Sequence, residues 1–169
     1  MKLIKVIFYA VWLFILAVLE PTFFSAISVF GISPNVFLAF VVMTAGLKGK
    51  TEGAIIGAVY GFAYDLLIGQ MIGLNALIYM YAGLLTGILK EKYISIDGVI
   101  LASLTTAVVS LICGIIYYFA YSMMNDIRFF FSIYRIILPE TLYTAVFTLV
   151  LFVPVSKSFN IIKSHSMMY

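Results

Sequence analysis

Charge is what this 169-residue chain has least of: 10% of its residues are charged, against 64% hydrophobic and 17% aromatic. Soluble domains carry about 25% charged and about 45–50% apolar residues, so a water-soluble globule is excluded. The basic excess is small as well. Ten Lys and Arg against seven Asp and Glu leave +3, too little for a nucleic-acid-binding face. One cysteine cannot close an internal disulfide, and Cys113 lies in an apolar stretch where it reads as a small hydrophobe. The single histidine, His165, stands in the tail without Cys or carboxylate neighbours, so a zinc site has nothing to build on. No Ser–His–acid set is available either. What is present, with a mean hydropathy of +1.17, is one domain of an integral membrane protein, with no cofactor or metal implied.

The positions of the seventeen charges divide the chain. Charge-free runs cover 6–19, 21–47, 53–64, 66–89, 98–125 and 141–156. A hydrocarbon core about 30 Å thick needs about 20 apolar residues at 1.5 Å each. The expected fold is therefore all-α, a compact six-helix transmembrane bundle in a single domain over 1–169. Its helices are expected at about 4–20, 34–47, 52–68, 72–89, 98–122 and 136–155. The second is short, so its lower end must meet protein or a thinned bilayer, or begin inside the preceding loop.

Six spans put both termini on one side. That side holds Lys2, Lys5, Lys48, Lys50, Lys90, Lys92, Lys157 and Lys163, and the other holds only Arg128 and Arg135. By the positive-inside rule both ends are cytoplasmic. Lys2 and Lys5 before an apolar run resemble a secretion signal, but the nearest small-x-small site, Ala26-x-Ser28, comes well past its end. Two outer segments, 21–33 and 125–139, are rich in aromatics and read as lipid anchors, with a partner-docking surface as the alternative.

Lys48-Gly49-Lys50-Thr51 shares the end of a phosphate-binding loop, yet Thr44 stands where its first glycine belongs and a membrane helix where its strand belongs. A cytoplasmic turn with topogenic lysines accounts for it. The third span instead carries packing information: Gly53, Gly57 and Gly61 recur every fourth residue, followed at the same interval by Asp65, Gly69 and Gly73. Small residues so spaced let two backbones approach closely, which matters in lipid because apolar side chains gain nothing by leaving it. The fourth span offers Gly83 and Gly87, and the fifth Thr106, Ser110 and Gly114. Packing within the bundle and contact with another protein's helix both fit this stripe. Asp65 is the acidic residue deepest in a span, and it must face protein or water. It reads as a cap accepting N–H groups around Gly73 to Asn75, or as a site for a partner or ligand.

Gly61-x3-Asp65-Leu66-x2-Gly69-x3-Gly73, preceded by Gly53, Gly57 and by Pro34-Asn35, resembles the MreD family of rod-shape-determining membrane proteins. The motif-bearing stretch is 34–90. The resemblance implies a multi-pass protein of the bacterial plasma membrane, a scaffold of the elongasome that makes peptidoglycan and sets cell shape. It also implies no catalytic activity. The partners it implies are MreC and, through it, MreB, RodA and a class B penicillin-binding protein, besides membrane lipid. It further suggests a fold like the substrate-binding subunits of energy-coupling-factor transporters. From that likeness comes the alternative, a vitamin-type uptake subunit. Those subunits dock through an Ala-x3-Ala face, whereas the first span has Ala10 and Ala17, seven apart. They also need a polar outer pocket, for which the sequence singles out only Asp65, Gln70 and Asn75.

Overall fold

A computed structural model describes residues 2–24, 28, 31–67, 71–92, 98–125 and 133–167. Six α-helices form within them: α1 (Lys2–Leu19), α2 (Val36–Lys48), α3 (Lys50–Leu67), α4 (Leu74–Lys92), α5 (Val99–Asn125) and α6 (Leu138–Met167). Single π-helical turns, Glu20–Phe24 and Ile133–Ile137, extend α1 and lead into α6. The sixth helix, with Pro154 inside it, runs twelve residues past its expected end, continuing beyond the apolar run through Lys157. Among the described residues α1, α5 and α6 contain stretches long and apolar enough to cross a membrane.

The shortest helix is the innermost. From Val36 to Gly46 every residue of α2 is buried, and α3, α4, α5 and α6 all pack on it. That answers the problem of its length: at about 1.5 Å per residue it falls short of a bilayer, but its surroundings are protein. Asn35 caps it, the side-chain oxygen accepting from Leu38 N–H at 3.0 Å. The outer faces of the neighbours carry large apolar side chains, such as Phe14 on α1, Leu104 and Val108 on α5, and Leu142 on α6. An inside-out excess of exposed apolar surface suits lipid.

Gly49 alone joins α2 to α3. Its φ of +98° is a left-handed conformation that glycine adopts without cost, and its N–H closes α2 onto the Ala45 carbonyl at 2.9 Å. Gly73 likewise takes a positive φ, +93°, before α4. The lysines gather at the α2–α3 corner. Lys90 donates to the Leu47 carbonyl (2.8 Å), Lys50 pairs with Glu91 (2.9 Å), and Lys48 lies 4.8 Å over the Phe159 ring. Glu52 ties α1 to α3 by accepting from Lys5 and from the Tyr9 hydroxyl.

Candidate functional site

The glycine positions of α3 lie against α4. A Cβ on Gly53 would sit 2.8 Å from the Gly83 carbonyl oxygen and 2.9 Å from Ala45 Cα; one on Gly57, 2.7 Å from the Tyr79 carbonyl carbon; one on Gly61, 2.7 Å from Ala76 Cα. These are backbone atoms, which cannot rotate away. Gly83 and Gly87 return the contact from α4, each with no room for a Cβ against the backbone of residues 49–53. The face that the stripe forms is thus occupied from within the chain. Gly69 and Gln70 lie outside the described residues.

Asp65, 2% exposed, ends this seam. Its Oδ2 accepts from Gly73 N–H (2.8 Å) and Ala76 N–H (3.1 Å). Its Oδ1 accepts from Asn75 N–H (3.3 Å) and the Asn75 amide (2.8 Å). Four donors at the start of α4 converge on one carboxylate, where the helix dipole also favours negative charge. Pro34 and Asn35 open α2 on the other side of the same end. The Asn35 amide donates to the Tyr79 hydroxyl at 2.6 Å, and its backbone N–H to Thr144 Oγ1 at 3.0 Å. One residue, through its side chain and its backbone, thereby links α2, α4 and α6.

Between these elements opens a cavity of about 370 Å³. Asn35 and Asn75 stand at its edge, Ser110, Cys113 and Gly114 line its α5 wall, and Glu140 comes from the first turn of α6. Its dominant lining is tyrosine: Tyr64, Tyr79, Tyr117, Tyr118 and Tyr121. Tyr117 and Tyr121 stack in parallel with centroids 6.2 Å apart, and Tyr118 stands edge-on to Tyr117 at 5.4 Å. This pocket is far richer than the three residues expected from the sequence. The missed signal lay in spacing, since residues 110, 114, 117, 118 and 121 recur on one face of a helix. Nor is Asp65 alone as a buried acid. Glu20 is also 2% exposed, and among the described residues no side chain donates to its carboxylate, which meets only the Val36 backbone N–H.

The glycine seam and the Asp65 cap hold helices; they present no nucleophile or base to a substrate. The cavity can hold a ligand group. A family model described as rod shape-determining protein MreD matches residues 1–162. No curated protein and no solved structure matches the chain.

Proposed function

The chain belongs to the MreD family of rod shape-determining proteins, and from that premise we propose that it is a non-catalytic scaffold of the bacterial cell-elongation machinery. In this reading it lies in the inner membrane as a six-span bundle with both termini cytoplasmic. It touches MreC directly and, through MreC, acts with MreB, RodA and a class B penicillin-binding protein in peptidoglycan synthesis. The observation that carries the proposal is the family match over 1–162. The geometry supports it in one further respect. Because α4 covers the glycine face of α3, and Asp65 serves the start of α4, contacts with partners fall to the apolar outer faces of the helices, such as Leu66 on α3 and Leu85 on α4, and to the cavity end.

Expression in a rod-shaped bacterium deleted for its own family member tests this. Restored rods, with MreC retained through mild-detergent purification, are the expected outcome. Round cells despite normal membrane accumulation would refute the scaffold role. The second reading, a substrate-binding uptake subunit, is favoured by the 370 Å³ cavity and by the suggested likeness to energy-coupling-factor subunits. Copurification of an ATP-hydrolysing module in place of MreC would decide for it.

A further inference from the structure

The charge of the cavity is one-sided. Among its described lining residues Glu140 is the ionisable acid, and no Lys, Arg or His faces it. Behind it Glu20 lies buried within electrostatic reach of Glu140, its carboxylate met by no more than the Val36 backbone N–H among the described residues. A carboxyl group left so inside a membrane protein is costly unless a proton or a cation neutralises it. The walls favour a cation. Tyrosine faces are electron-rich, and the parallel Tyr117–Tyr121 pair with Tyr118 perpendicular to it forms the corner of an aromatic cage. An anionic group would meet carboxylates with no basic residue of the described lining to offset them. The space corresponds to on the order of ten waters, enough for an ammonium carrying a few carbons.

We propose that the cavity binds a small organic ammonium group, with Glu140 as its counter-ion, Tyr117, Tyr118 and Tyr121 as its walls, and the Asn35 and Asn75 amides fixing the rim. The ammonium comes from an ethanolamine lipid headgroup or from a free amine, since the cavity opens at the end of the helices where headgroups lie. This assignment holds whichever proteins the chain assembles with.

The experiment uses the full chain in nanodiscs of phosphatidylglycerol, titrated with ethanolamine while thermal unfolding is followed, and in parallel in nanodiscs containing phosphatidylethanolamine. A saturable rise in Tm with free ethanolamine supports the site and identifies a soluble amine. A rise confined to the phosphatidylethanolamine discs supports it and identifies the headgroup. Glu140→Gln should weaken binding roughly tenfold or more, as the loss of a charge-assisted contact does. Tyr118→Phe, which keeps the ring, should bind like the parent, and Tyr117→Leu, which removes one, should bind more weakly. No shift in the parent under either condition would overturn the proposal. So would undiminished binding by a folded Tyr117→Leu protein together with Glu140→Gln; if Glu140→Gln does not fold, Tyr117→Leu alone decides.

Discussion

On one side of α2, helices α3 and α4 approach until backbone meets backbone, with glycine at every crossing point from Gly53 and Gly83 to Gly61 and Ala76. On the other side α5 and the start of α6 face α2, α4 and Tyr64 across about 370 Å³ walled by tyrosine. Both sides draw on similar raw material, helices with small residues every four positions. The difference lies in what faces them. Opposite Gly57 is the backbone of Tyr79 and Met80, whereas opposite Gly114 is the side chain of Ile137. A glycine against a backbone makes a seam that cannot yield; a glycine against a side chain needs only a small adjustment of that side chain, and next to it there is a cavity. The rigid half holds the fold, and the looser half is where a ligand or partner can be admitted.

The sharpest way to break the seam is Gly57→Leu or Gly61→Leu. Each forces α3 and α4 apart, and the lost contacts are not recovered by any drive out of lipid. We expect destabilisation of about 3 kcal/mol or more, read as failure to accumulate or early thermal unfolding in detergent; parent-like stability of both variants would mean that the backbones do not touch. Next in size are the substitutions at Asp65. An asparagine offers one acceptor oxygen where two oxygens now serve four donors, and its own NH2 would face N–H groups. Asp65→Asn should therefore cost about 1–3 kcal/mol, and Asp65→Leu more, because buried donors are then left unmet. An Asp65→Asn protein as heat-resistant as the parent would show that the charge is not needed for the cap.

Gly114→Ala sharpens the comparison from the loose side. A Cβ there meets Ile137 Cγ2 at 3.0 Å and Cγ1 at 3.6 Å, side-chain atoms that need give only by a few tenths of an ångström. Alanine is also the better helix former by about 1 kcal/mol. The change should shift stability by no more than about 1 kcal/mol in either direction, while Gly57→Ala on the tight side is clearly destabilising. Equal effects would erase the distinction between the two sides. The smallest effect belongs to Lys50→Ala at the lysine corner. The hydrogen bond from Lys50 holds the Glu91 carboxyl below its usual range of 4.5, so the pair's contribution is present above that value and fades as pH falls through the lowered one. Both partners are solvent-exposed, and salt should abolish whatever shift in Tm is seen.

How much of this was legible in advance differs by element. Helix positions were, because apolar runs between charges mark them; the last extends beyond its apolar run, continuing past Lys157 into the polar tail. The every-fourth-residue glycines mark one face of α3, and Asp65 marks its end. Of the tyrosine cavity, only the α5 wall was legible, as one helix face. Tyr64, Tyr79 and Tyr117 lie on three different helices, and aromatic residues scattered through apolar helices look the same whether they face lipid, core or cavity.

Membrane class, six helices in order, and the places where close backbone approach is permitted can be read from the residues alone. These follow from local quantities: hydropathy over a window, charge at its edges, and side-chain size at the 3.6-residue period. Only the tertiary structure decided that α4 fills the glycine face, that the 13-residue α2 is the centre, and that five tyrosines and Glu140 meet around one space. In lipid every apolar helix face has nearly the same free energy against hydrocarbon as against another apolar face, so local composition does not choose a neighbour. Shape and buried hydrogen bonds between distant segments choose it, as Asp65 with Asn75 and Asn35 with Tyr79 do here.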